Sequence, residues 1–158
     1  MKNLLFALAL VSTIAINAES LVYTKLLLVA HTCNNHGDKD ACKKLADFYA
    51  EVMKKNNPAA SAQALEIQRT LDDIHHRLAG SRTWFGGYRC GNLTQKQIET
   101  ISAVLQDNAF MATATKEDLS NSWNLGAFIA AEVKRRVRAE ETLQKVFAEA
   151  QKKANAKK

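Results

Sequence analysis

The sequence predicts an all-α protein: a compact bundle of about five helices with a long basic C-terminal helix, braced by a disulfide. Three observations predict it. Glycine (six) and proline (one) are scarce among the 158 residues, while the good helix formers Ala, Leu, Lys, Glu and Gln are plentiful. Apolar residues recur at spacings of three and four along most of the chain. Cys33 and Cys42 bracket the turn between two of the predicted helices. The length is that of one domain large enough to bury a core.

Residues Met1 to Ala18 stand apart. Lys2 supplies a charged start, Leu4 to Ile16 is a mostly apolar run, and Ile16-Asn17-Ala18 ends in a small residue suited to cleavage. We read residues 1–18 as a secretory signal peptide, because the thirteen-residue run falls well short of the ~20 residues of a spanning helix. The expected divisions are then 1–18 signal peptide, 19–137 helical domain and 138–158 basic helical tail, partly frayed. The location is periplasmic or secreted, with no stable membrane insertion after cleavage.

Ser20 can cap a first helix running through Leu21, Val22, Leu26, Leu27, Leu28, Val29 and Ala30, so apolar that burial is expected. Asn34, Asn35 and Gly37 mark its end. Asp38 or Asp40 can cap a second helix whose Cys42, Leu45, Ala46, Tyr49, Val52 and Met53 form one face. Asn57-Pro58 ends that helix and starts a third, since proline suits the first helical position. The third helix has Ile67, Leu71, Ile74 and Leu78 as its inner stripe and Gly80 as terminator. Ser81 to Leu93 has no helical period and reads as a long connector with room for a short strand pair. Thr94 and Gln97 form a capping box for a fourth helix with Ile98, Ile101 and Leu105 inside.

Thr115 with Asp118 can cap the last helix, in which Leu119, Trp123, Gly126, Ala130, Val133 and Val137 hold one face. A second stripe, Leu125, Phe128, Ile129 and then Leu143, Val146, Phe147 and Ala150, lies about a third of a turn away. Two partners are expected: the protein's own core, and a neighbouring helix or second subunit at Leu143, Val146 and Phe147. The formal charge of +6 belongs to this end of the chain. From Lys134 onward nine Lys or Arg face three Glu, whereas residues 19–133 carry twelve Lys or Arg and thirteen Asp or Glu. The cluster Lys134, Arg135, Arg136 and Arg138 reads as a solvated helix face interleaved with Glu140 and Glu141. An exported protein is not expected to meet nucleic acid.

Export makes disulfides the default use of the three cysteines. An antiparallel helix pair brings Cys33 and Cys42 within the usual ~4.4 to 6.8 Å between α-carbons, and this is the favoured bridge. Cys90 is then a free thiol or a link between two chains; the alternative ties Cys90 to one of the other two. His31, Cys33, His36 and Cys42 carry donors that suit zinc, but their spacing matches no zinc motif and exported cysteines pair with each other. No metal and no cofactor are expected. Asp72 and His76, four apart on the outer side of the third helix, read as an exposed ion pair. No Gly-rich phosphate loop, G-x-S-x-G elbow or H-E-x-x-H is present. Arg82, Trp84, Phe85, Tyr88 and Arg89 in the connector are residue types enriched at binding hot spots, and they are the candidate protein-binding residues. Asn92-Leu93-Thr94 fits the glycosylation sequon.

Leu26-Leu27 shortly before Cys33, an acidic spacer, Cys42 seven residues ahead of Tyr49, and Cys90 opening CGNLTQKQIETISAVL together resemble a family of small exported immunity proteins. Those protect bacteria from peptidoglycan amidase toxins delivered by type VI secretion. The similarity covers roughly Leu26 to Val52 and Cys90 to Leu105, with LGAFIAAEVKRR similar to the family's last helix. Two departures stand out: a longer segment between Cys42 and Cys90, and no counterpart of the family's final cysteine, the natural partner of Cys90. The resemblance implies an all-helical, disulfide-braced, non-catalytic toxin binder and assigns no binding residue. The expected function is therefore an exported protein-binding protein, an immunity factor or inhibitor in the bacterial envelope. The alternative is an envelope structural or chaperone-like protein that self-associates through its C-terminal helix. A hydrolase using His75 and His76 with a carboxylate ranks third.

Overall fold

The computed structural model describes residues 23–55, 58–79, 81–84, 87–90 and 92–156, with the two strands at 81–84 and 87–90 described by their backbone. The expected signal peptide, residues 1–18, lies outside the described residues. Six helices and one hairpin follow in chain order: α1 (23–36), α2 (Lys39–Lys55), α3 (Pro58–Ala79), β1 (Ser81–Trp84), β2 (Gly87–Cys90), α4 (Gln95–Gln106), α5 (Asn108–Met111) and α6 (Ser122–Asn155). The architecture is the expected all-α bundle.

The corner between α1 and α2 is built from local chemistry. Gly37 adopts a positive φ of 61° and donates its N–H to the Cys33 carbonyl at 3.2 Å, a left-handed helix terminator that glycine adopts without penalty. Asp38 then caps α2, its carboxylate accepting the Ala41 N–H at 2.7 Å. The buried line of α2 is Ala41, Leu45 and Val52, with Phe48 and Tyr49 half-buried beside it. Ala46, expected on the inner face, is exposed.

The core is formed by Leu27 and Ala30 of α1, Ile67, Leu71 and Ile74 of α3, Ile101, Val104 and Leu105 of α4, and Leu125, Ile129 and Val133 of α6. Helices α3 and α4 both lie against the first half of α6. Helix α1 is pinned at one end by Tyr23, whose hydroxyl lies 2.9 Å from Thr70 Oγ1 on α3. At its other end the buried ring of His31 meets the Ile98 carbonyl on α4. Helix α5 meets α6 through a stacked pair, Phe110 and Phe128, with centroids 4.6 Å apart.

Three expectations need correction. Thr115 and Asp118 do form a reciprocal pair, with Thr115 N–H to Asp118 Oδ2 at 2.8 Å and Asp118 N–H to Thr115 Oγ1 at 3.2 Å. This pair closes only a turn, and the long helix starts later. Asn121 is its cap, accepting the Asn124 N–H, while Glu66 of α3 takes the Ser122 N–H at 3.1 Å. The short helix α5 was not expected; Asp107 caps it by accepting the Phe110 N–H. Trp123, assigned to the inner face of the last helix, is 65% exposed and lies under the Arg77 guanidinium, 4.2 Å from its ring centroid. The connector, in turn, holds a two-stranded antiparallel hairpin, the strand pair for which the sequence left room.

Candidate functional site

The corner from His31 to Cys42 is a structural clasp. Cys33 and Cys42 are joined by a disulfide with α-carbons 4.7 Å apart. Both sulfurs are thereby consumed, so the zinc set drawn from His31, Cys33, His36 and Cys42 is not assembled. Among the described residues, no group of three or more His, Cys, Asp or Glu is placed to hold a metal ion.

His31 is also committed to structure. Its Nδ1 lies 3.0 Å from the Asn35 amide nitrogen, which can only donate, and its Nε2 lies 3.0 Å from the Ile98 carbonyl, which can only accept. These partners fix a neutral ring with the proton on Nε2. Burial pushes its pKa below the ordinary 6.5, with the Ile98 hydrogen bond opposing and the neighbouring His36 adding to the shift. His36 sits edge-on to it, ring centroids 5.9 Å apart, with Nε2 3.5 Å from Ser102 Oγ.

Beside this clasp lies a recess of about 240 Å³. Its walls come from His31, Asn34 and Asn35 of α1, Leu71, Asp72, Ile74 and His75 of α3, Leu93, and Ile101 of α4. Leu71, Ile74, Leu93 and Ile101 give an apolar lining, and the exposed Asn34, Asn35 and Asp72 put amides and a carboxylate at the same mouth. Such a recess can take a side chain with an aliphatic stem and a hydrogen-bonding head. The Asp72 carboxylate accepts from the Gln68 amide at 2.9 Å. The recess itself was not legible from helix period, because it is assembled by three helices distant in sequence.

The hairpin connects α3 to α4. Gln97 joins its two feet: the Gln97 side-chain oxygen accepts the Thr94 N–H at 2.8 Å, and its amide donates to the Leu78 carbonyl at 3.2 Å. The capping box predicted at Thr94 thus also ties the first turn of α4 to the last turn of α3. The strand register sets Arg82 across from Arg89, Thr83 across from Tyr88, and Ser81 across from Cys90. Of the candidate protein-binding residues, Arg82, Trp84, Tyr88 and Arg89 therefore share one hairpin. Phe85 lies outside the described residues, as do the side chains of the other four and of Cys90. Asn92 of the glycosylation sequon is exposed just beyond the hairpin.

The basic cluster divides. Arg135 and Arg136 both converge on the buried Glu132, with N···O distances of 2.7 Å, and Arg136 also reaches Asp107 at 2.6 Å. The hydrogen bond from Arg135, with help from Arg136, pulls the Glu132 pKa down to about 2 against the opposing effect of burial. Two of the four cations thus hold α6 to its own carboxylate and to α5, while Lys134 and Arg138 face solvent. Among the described residues, no helix is long and apolar enough to cross a membrane. No family model matches the chain, and neither a curated protein nor a solved structure matches it.

Proposed function

We propose that this is an exported, non-catalytic protein-binding protein of the bacterial envelope, an immunity factor or inhibitor that neutralises a toxin by occupying it. The observation that carries the reading is the placement of the hairpin. The segment richest in hot-spot residue types, with Arg82, Trp84, Tyr88 and Arg89, forms a two-stranded hairpin between α3 and α4, and Gln97 ties the helix ends on either side of it together. A recognition element mounted on rigid supports loses little conformational entropy when it binds. Export is supported by the N-terminal segment and by the disulfide, which persists in oxidising compartments. The inhibitory role is supported by the resemblance of the cysteine-bearing segments to immunity proteins.

The test is capture from periplasmic extract with two baits, the wild type and an Arg82→Ala, Trp84→Ala, Arg89→Ala variant. A protein held by the wild type and lost from the variant, whose lytic activity is suppressed by the wild type alone, is the expected result. Identical captures with both baits, or a captured protein whose activity is unaffected, would overturn the reading.

A further inference from the structure

Helix α6 outruns the bundle. The ion pair between Lys96 Nζ of α4 and Glu140, at 2.9 Å, ties α6 to the body, and every residue from Glu140 to Ala156 is exposed. Within this overhang Leu143, Val146 and Phe147 are 56, 57 and 66% exposed. At 100° per residue they prolong the face that, within the bundle, carries Leu125 and Ile129 into the core. Three large apolar side chains within five residues, in line with a core-facing stripe, form a patch of the kind that marks an interface.

We propose that a second copy of this chain covers this face, with the two overhangs packed antiparallel about a two-fold axis between Val146 and Phe147. Charge polarity selects that direction. The overhang opens with Glu140 and Glu141 and closes with Lys152 and Lys153. Antiparallel pairing sets the acidic end of each copy beside the basic end of the other, whereas parallel pairing sets like beside like. Shape agrees: the same axis places Leu143 level with Ala150 of the second copy, large against small, and Val146 level with Phe147. The reach also fits, since Glu141 to Asn155 extends about 22 Å at 1.5 Å per residue. About this axis Glu141 to Lys152 of one copy overlaps the same residues of the other, about 18 Å at 1.5 Å per residue, and the tip beyond runs level with the exposed Glu140, Ala139 and Arg138. The buried face is smaller than the ~800 Å² per partner of a standard interface, so the dimer dissociates on dilution. The interface is isologous and closes on itself, forming pairs and not filaments. It leaves the hairpin and the recess unused, so it stands independently of the proposed toxin binding.

Light scattering of the full chain over a wide concentration range tests the pairing. The expected result is a mass that doubles with concentration. A Leu143→Glu, Phe147→Glu variant should keep its helicity and stay at the monomer mass throughout. For orientation, Ala139→Cys and Ala154→Cys are made separately in a Cys90→Ser background, both sites being exposed. A short bis-maleimide should join the two variants when mixed and join neither to itself. A mass independent of concentration would overturn the proposal. So would self-linking of Ala139→Cys, which indicates parallel pairing, or a wild type that stays monomeric and instead sediments with vesicles of four parts neutral to one part anionic lipid.

Discussion

Gly126 on α6 lies against the side chain of Asp73 on α3, so closely that a β-carbon at Gly126 would fall on the Asp73 carboxylate. That carboxylate cannot swing aside easily, because Arg77 Nε grips it at 2.6 Å and the Arg77 guanidinium is itself laid over Trp123. Alanine at a helix interior is ordinarily better than glycine by about 1 kcal/mol. Here the overpacking cost, about 1 to 3 kcal/mol, reverses the sign. Gly126→Ala should lower the denaturant midpoint, and a cycle with Asp73→Ser should show a coupling above about 0.5 kcal/mol. A midpoint that rises would mean that the α3–α6 contact is looser than the structure has it.

The same contact shows where sequence reading stops. Period and caps were legible: the stripe Ile67, Leu71, Ile74, the box Thr94 to Gln97 and the terminator Gly37 all follow from residues within one turn of each other. Gly126 read only as a member of an apolar face, because its reason is an aspartate 53 positions away in sequence. The start of α6 failed similarly. Thr115 and Asp118 satisfy each other locally, yet Asn124 turns its amide back to the Glu117 carbonyl and Ser120 Oγ, both at 3.0 Å, and Glu66 of α3 captures the Ser122 N–H. A tertiary partner decides which of two good caps begins the helix. The recess was hidden for the same reason, and the hairpin was legible only as a connector with room for a short strand pair, because its strands lack an alternating apolar pattern.

The Cys33–Cys42 bridge closes a loop of nine residues in sequence separation. On a chain-entropy estimate it contributes about 2 to 3 kcal/mol. A Cys33→Ser, Cys42→Ser variant, or the reduced protein, should lose roughly that much in urea melts while keeping most of its helical signal. A chelator should change nothing. Loss of structure on chelation with none on reduction would restore the metal reading of this corner.

His31 makes stability pH-dependent near neutrality. Burial lowers its folded pKa below the ordinary 6.5, so below that pH the unfolded chain takes up the proton more readily than the folded one. Stability is therefore complete above about pH 6.5 and falls as the pH drops. The proton would have to sit on Nδ1, which accepts from Asn35, so protonation also breaks that hydrogen bond. Denaturant midpoints at pH 7.5 and 5.5 should differ for the wild type and differ less for His31→Gln. An equal difference in both would assign the effect to another group.

Glu132 governs the acid limb. It is 8% exposed, it is gripped by Arg135 and Arg136, and its pKa is drawn from 4.5 to about 2. A depressed carboxylate stabilises the fold above its unfolded pKa and ceases to do so as the pH falls to its folded one. The window is therefore about pH 4.5 down to 2. The contribution is about 2 to 3 kcal/mol once screening at the largely exposed Arg135 is allowed for. Glu132→Gln keeps the shape and removes the charge. Arg136 retains Asp107 in that variant, and Arg135 turns to solvent, so neither cation is stranded. The variant should be less stable than the wild type at pH 7 by about that 2 to 3 kcal/mol, and the two should converge as the pH approaches 2. Parallel acid-unfolding curves would show that the grip of Arg135 and Arg136 on Glu132 does not contribute to stability.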